Sequence, residues 1–355
     1  MAEKYNKWYM SAESYDDVVV SSRVTLLRNL ADFDFACRIG NDEAMRMVEK
    51  IRALTPGLAG RECTEYYSCI FNKLPENEQT MLLETGAVTQ ALKNRQQTTG
   101  LILSEDESVS IMINETDHIR IQVIRAGNMM KEAYKTADRI DNFFDTELRY
   151  AYSEKYGFLT SSTADVGTGL KASYMLSLPA LAMSAKIQPI RDEVGKFGVS
   201  IEPVVSDSGK SSCLMFGVSN RRTLGLSEND IIENLDQITG QIVEIERKRR
   251  NNMLDSERTD LEDKIFRSYG VLKYARKISL DDALMLLAQI KLGSDMGIIS
   301  LSRGGSELHR LMLEMQPASL IKMYECGSET GAIEEARARH LNSRLPKLRS
   351  AKDGF

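Results

Sequence analysis

Tyr156-Gly157-Phe158-Leu159-Thr160-Ser161-Ser162-Thr163-Ala164-Asp165-Val166-Gly167-Thr168-Gly169-Leu170-Lys171-Ala172-Ser173 runs from a short apolar segment, through small hydroxyl residues, to a Gly-Thr-Gly turn. Beyond the turn, Leu170, Met175, Leu178 and Leu181 read as a helical pattern. Paired glycines at a helix start let backbone N–H groups approach an anion, and the helix dipole favours negative charge there. The same pattern also serves as plain punctuation between elements. Spacing alone leaves the phosphate site and the bare turn both open.

The whole chain sets wider bounds. Its 355 residues suffice for two domains with separate cores. Charged residues at 27% and hydrophobic ones at 42% are ordinary for a folded globular chain. A net charge of −5 argues against a general nucleic-acid binder. The start, Met1-Ala2-Glu3-Lys4-Tyr5, lacks the apolar core of a signal peptide, and no run approaches membrane-spanning length, so a cytoplasmic protein is expected. Cys37, Cys63, Cys69, Cys213 and Cys326 show no CxxC spacing, and there are only three histidines. Neither a metal site nor a disulfide framework is expected; the thiols are read as reduced and partly buried.

Taken in order, Val18-Val19-Val20 reads as a buried strand leading to Arg23 and Arg28. Asn41-Asp42-Glu43 caps a helix with Ala44, Met47, Val48, Ile51 and Leu54 on one face, and Pro56-Gly57 ends it. Leu101-Ile102-Leu103 and the alternating Val109, Ile111 and Ile113 predict a hairpin across Glu105-Asp106-Glu107. From Asp117 to Val123 the alternation puts Ile119, Ile121 and Val123 on one face and His118, Arg120 and Gln122 on the other. Met129 to Tyr152 reads as a helix, and 198–202 and 214–218 as strands flanking the polar loop 206–212. Ser227-Glu228-Asn229-Asp230 has the form of a capping box, and the basic run Arg247-Lys248-Arg249-Arg250 reads as the solvated C-terminal end of that helix. After Asn252 only helical patterns remain, one beginning at the cap Ser279 and another over 333–345. The expected organisation is α+β, with a domain over 1–252 followed by a helical domain over 253–355.

Phe158-Leu159-Thr160 with Val166-Gly167-Thr168-Gly169-Leu170 resembles the signature of the ATP:guanido phosphotransferases, the creatine and arginine kinase family, and most of all its bacterial protein-arginine kinases. Four more segments agree in order: Val20-Ser21-Ser22-Arg23 with Arg28-Asn29-Leu30; Asn114-Glu115 with Asp117-His118-Ile119-Arg120-Ile121-Gln122; Val218-Ser219-Asn220 with Leu224-Gly225; and Asp295-Met296-Gly297-Ile298-Ile299 with Gln316-Pro317-Ala318. The resemblance implies an antiparallel sheet flanked by helices, then a small all-α domain. For an active enzyme it implies ATP with magnesium; for a degenerate one, neither is required.

Moving a γ-phosphoryl group to a guanidinium needs cations around the triphosphate and carboxylates around the acceptor, one of them a base. By resemblance Arg23, Arg28, His118 and Arg120 belong to the nucleotide side. Thr25, Lys171 and Glu202 stand at positions where the family carries arginine, and a lysine keeps charge but loses the bidentate fork. On the acceptor side the family's Asn-Glu-Glu-Asp-His reads Asn114-Glu115-Thr116-Asp117-His118, which puts Thr116 where the catalytic carboxylate belongs. Ser162 replaces the usual cysteine, Asp165 an asparagine, and Lys210 a second acid, while Asp207 keeps one carboxylate. The phosphoarginine-sensing motif corresponds to 333–338, with Glu334 and Arg337 present but its first arginine absent.

Loss of a general base costs about 10²–10⁴ in rate, and loss of one charge stabiliser about 3–4 kcal/mol. The expectation is therefore a pseudokinase with a regulatory, partner-binding role, in which Asp165 and Glu202 neutralise Arg23 and Arg120. The alternative is an active kinase acting on protein arginines with Glu115 or Asp207 as base, and a third reading is a purely structural subunit. Partners implied by the resemblance are an active protein-arginine kinase, its zinc-binding activator, or the stress-response protease-chaperone machinery, with a homo- or hetero-dimer as the assembly.

Overall fold

The computed structural model describes residues 7–10, 16–204, 214–303 and 305–349. In chain order its main elements begin β1 (Val19–Arg28), α1 (Asn41–Arg52), α2 (Thr55–Glu62), β2 (Tyr66–Ile70), α3 (Glu76–Glu84), α4 (Gln90–Asn94), β3 (Gly100–Ser104), β4 (Val109–Ile113) and β5 (Ile119–Ala126). There follow α5 (Met130–Glu147), β6 (Tyr152–Ser153), β7 (Gly157–Phe158), β8 (Leu170–Ser177), α6 (Pro179–Met183), α7 (Ile187–Gly195), β9 (Val199–Pro203) and β10 (Met215–Asn220). The rest is helical: α8 (Glu228–Ser256), α9 (Arg258–Tyr274), α10 (Leu280–Asp295), α11 (Gly305–Glu314), α12 (Pro317–Tyr324) and α13 (Thr330–Arg344). No helix among the described residues is long and apolar enough to cross a membrane.

The α+β architecture is built on one antiparallel sheet in the order β2-β3-β4-β5-β1-β8-β10-β9. Strand alternation gives it two unlike faces. Val24, Leu26, Ile121, Val123, Ala172, Tyr174, Ile201 and Val218 join the large core with residues of α1, α5 and α8. A smaller apolar cluster, Leu101, Leu103 and Met112 with Val88 and Leu92, covers the β2–β4 end. The middle of that second face carries polar residues.

The helical part packs as a second core, which also takes in Met253 of α8 and Val20, Ala180 and Met215 from the sheet domain. A division at 252–253 therefore falls inside one continuous helix. The two cores are pinned by buried charges. Glu246 accepts hydrogen bonds from the backbone N–H groups of Ala180 and Leu181, both 3.0 Å, and from Arg250 Nε at 2.7 Å. Arg250 also reaches Asp17 at 3.1 Å, and Lys291 of α10 donates to the Asp17 carbonyl at 2.7 Å and to Asp295 at 2.6 Å.

Several sequence expectations are corrected. No helix follows Gly169: Leu170–Ser177 is strand β8, whose Leu170, Ala172, Tyr174 and Leu176 alternate into the core between β1 and β10. Pro56-Gly57 does not simply end a helix but begins α2, because proline in a first turn needs no N–H partner. Helix α1 is preceded by Gly40, and Asn41 accepts instead from Thr98 N–H and its hydroxyl. Helix α5 stops at Glu147, where the chain turns to pair Tyr150 with Leu30. The basic run is solvated only in part and does not end the helix: Arg247 and Lys248 are exposed, Arg250 is buried, and α8 continues to Ser256. Of the described cysteines, all free, Cys69 is buried, Cys326 half-buried, and Cys37 and Cys63 exposed.

Candidate functional site

The polar face is centred on β1. Thr25 lies opposite Gln122 of β5 and Lys171 of β8, Leu27 opposite Arg120, and Arg23 opposite Ser173. The row continues through Ser219 of β10 to Ser200 of β9. One side of the resulting cleft is the segment after α3. There Gly86, with φ +74°, sits against Arg23, and a Cβ at Gly86 would lie 3.0 Å from an Arg23 terminal nitrogen. The Gly86 carbonyl accepts from Gln122 at 2.9 Å.

Among the described residues Arg23 forms no ion pair, and its guanidinium is pulled down to about 10 by burial and then by its neighbour Arg120. Arg120 Nε and Gln122 Oε1 are buried without hydrogen-bond partners among the described residues. Burying an unmatched polar group costs roughly 1–3 kcal/mol, more for a charged one; an oxyanion would supply the acceptor that Arg120 Nε lacks, whereas Gln122 Oε1, itself an acceptor, calls for a donor. Magnesium-bound phosphate oxygens fit the two guanidinium groups and the glycine-narrowed wall.

At the edge, the Glu115 carboxylate accepts from Thr89 Oγ1, from Thr116 N–H at 2.9 Å and from Thr116 Oγ1 at 2.6 Å, with Arg120 at 3.7 Å. Burial pushes this carboxyl up, but Arg120 and the two threonines outweigh it and hold it below its usual range. A carboxylate so stabilised is a poor proton acceptor. Thr116 donates its hydroxyl to the same oxygen that its N–H contacts.

The other expected site residues are placed differently. Arg28 is five residues from Arg23, hence on the opposite face, where it binds Asp141 through Nε and through a terminal nitrogen at 2.7 Å, and stacks 3.5 Å from the Phe158 ring centroid. Both ring nitrogens of buried His118 are engaged: Nδ1 accepts from Leu30 N–H at 2.9 Å, and Nε2 meets the Asp34 carbonyl at 2.8 Å. Asp165 and Glu202 do not neutralise Arg23 and Arg120: Asp165 pairs with Lys171 at 3.0 Å and Glu202 with Arg191. Ser162 is exposed, its carbonyl accepting from Thr160 Oγ1 at 2.7 Å. Asp207 and Lys210 lie outside the described residues. Glu334 pairs with Lys277 at 3.3 Å, and buried Arg337 donates to the carbonyls of Met315 and Ile278, both at 3.1 Å.

The glycines of the opening stretch serve close packing. Cβ atoms at Gly167 and Gly169, both at positive φ, would lie 2.8 Å from the Thr223 carbonyl and 2.6 Å from the Leu27 carbonyl. Sequence reasoning missed Thr89 and Gly86, which carry no periodic signal; Gln122 was legible as the residue two beyond Arg120 on an alternating strand.

Residues 46–249 match the model of the ATP:guanido phosphotransferase C-terminal catalytic domain, and 258–354 that of the protein-arginine kinase McsB C-terminal domain. A protein-arginine kinase of Brevibacillus brevis is 34% identical over 352 residues, 99% of this chain and 98% of that protein. One from Caldanaerobacter subterraneus subsp. tengcongensis is 33% identical over 94% of this chain and 98% of the relative. In fold, the chain is similar to the duplicated taurocyamine kinase from Schistosoma mansoni with bound transition state analog components (TM-score 0.59, 21% identity, 69% of this chain and 35% of that one). It is also similar to lombricine kinase (TM-score 0.56, 18% identity, 67% and 68%). The chain spans about a third of the taurocyamine kinase. Its near-complete overlap with the curated relatives, at a third of positions identical, places it: this chain belongs to the ATP:guanido phosphotransferase family, among the protein-arginine kinases.

Proposed function

We propose that this chain is a protein-arginine kinase homologue that retains phosphate recognition and acts by binding rather than by phosphoryl transfer. The observation that carries this reading is the state of Glu115: its oxygens are occupied by Thr89 and Thr116, and Arg120 lies beside it, so it holds its charge instead of accepting a proton. Its neighbour Thr116 offers a hydroxyl already donated to that carboxylate. The retained half is Arg23 with Arg120, which no carboxylate of Asp165 or Glu202 covers.

The test uses the full-length chain. Titration with ATP and magnesium gives saturable binding that Arg23→Ala weakens, while incubation with an arginine-rich protein yields no acid-labile phosphoarginine. Phosphoarginine that appears with the wild-type chain and vanishes in Arg120→Ala would instead establish the active-kinase reading, with Glu115 or Asp207 as base. The binding role is regulatory, in the cytoplasm and as a homo- or hetero-dimer, toward an active protein-arginine kinase, its zinc-binding activator or the protease-chaperone machinery. Co-purification of a tagged chain with those proteins checks it.

A further inference from the structure

On the sheet face opposite the phosphate pocket, α7 and α8 leave an apolar groove of about 250 Å³. Its floor is Val194, Ile238 and Ile242, and its lips are Ile190, Phe197 and Ile245. Phe197 is 61% exposed and Ile245 43%, although the chain buries comparable side chains elsewhere on the same two elements. The Phe197 carbonyl is held by Asn234 Nδ2 at 3.3 Å, which fixes the loop that presents the ring. Along α8 the groove residues recur from Asn234 to Ile245, about three turns or ~16 Å of helix. A channel of that length between two helices suits another helix laid along it, with apolar anchors at i, i+3/i+4 and i+7.

Charge selects the kind of helix. Glu193 is the one charged residue lining the groove. From Glu228 to Glu246, the part of α8 along the groove, the helix carries six carboxylates and no lysine or arginine; the exposed cations Lys196 and Lys248 lie beside the groove but do not line it. Asp236 and Glu246 are spent on Tyr174 and on the Ala180–Leu181 backbone, but Glu233 and Glu244 are exposed. We infer that this groove docks a basic amphipathic helix of a partner protein, with Phe197 and Ile245 as its apolar anchors and Glu193, Glu233 and Glu244 facing the partner's cations.

The experiment is independent of nucleotide, so it succeeds or fails apart from the phosphate-binding reading. Fluorescence anisotropy of the full-length chain is measured with a labelled 14-residue Leu/Lys peptide of amphipathic helical spacing, and with its Leu/Glu counterpart. Saturable binding of the Leu/Lys peptide alone is expected, weakened about ten-fold by Phe197→Ala or Ile245→Ser and also by Glu193→Lys with Glu244→Lys. Since Phe197 and Ile245 are surface residues, unchanged thermal melts of these variants separate lost docking from lost folding. Equal binding of both peptides, no binding, or indifference to the Phe197 and Ile245 substitutions would overturn the inference. So would a wild-type dimer that Phe197→Ala converts to monomer, because a second copy would then occupy the groove.

Discussion

The charges around Arg23 and Arg120 and those between the two cores are handled in opposite ways. Between the cores, Asp17, Glu246, Arg250, Lys291 and Asp295 meet one another and the backbone at hydrogen-bond distance. In the cleft, among the described residues, Arg23 forms no ion pair, Arg120 has an incompletely matched guanidinium, and Gln122 has an idle oxygen. Both regions are desolvated, so burial does not distinguish them. What distinguishes them is completeness: a closed set of partners stabilises the native chain, whereas an open set stabilises it only when a ligand closes it.

The sharpest way to break this contrast is Glu246→Ala. It strands two backbone N–H groups and the Arg250 Nε–H inside the protein, and urea denaturation should register a loss of about 3–5 kcal/mol. A loss below 1 kcal/mol would place the network with exposed ion pairs.

Next comes pH. Buried His309, on α11, is driven down to about 4 by burial and then by Lys291. Its folded value lies below the unfolded one, so the unfolded chain takes up the proton first and stability falls as pH drops from about 6.5 to about 4. His309 accounts for up to about 3 kcal/mol of that fall. His309→Gln should flatten this part of the stability–pH curve, measured by denaturation at a series of pH values.

A smaller effect is expected at Glu84, whose carboxylate caps α12 through the Ala318 N–H at 3.0 Å and the Ser319 N–H at 3.4 Å. Glu84→Ala should cost about 1 kcal/mol. Because Gly86 lies two residues on, the same variant should also weaken ATP binding, which a titration checks.

Smallest of all is Arg23→Met. Removing a buried cation that forms no ion pair among the described residues, and that lies beside Arg120, should not destabilise the chain, yet should abolish the rise in melting temperature given by ATP with magnesium. A large destabilisation would show that Arg23 belongs to the closed kind of network after all.

Where two faces of a strand differ in polarity, alternation was enough: the β3–β4 hairpin and the inward set Ile119, Ile121 and Val123 follow the sequence pattern. The same rule applied to β1 separates Arg28 from Arg23, since an odd spacing puts them on opposite faces. Strand β8 misled because Met175, Leu178 and Leu181 also fit a helical period, and pairing with β1 and β10 decided the matter. The salt bridges misled for another reason. Lys171 is the cation in reach of Asp165 and Arg191 the one in reach of Glu202, distances that residue types do not encode.

The sequence by itself determined the family, the α+β class and the alternation that puts Arg120 and Gln122 on one strand face, because these are matters of residue identity and short-range period. Tertiary structure alone decided which charges are spent and which are left open. Pairing depends on what the fold brings within about 3 Å after desolvation, and residues as distant in sequence as Asp17 and Lys291 meet only in the folded chain.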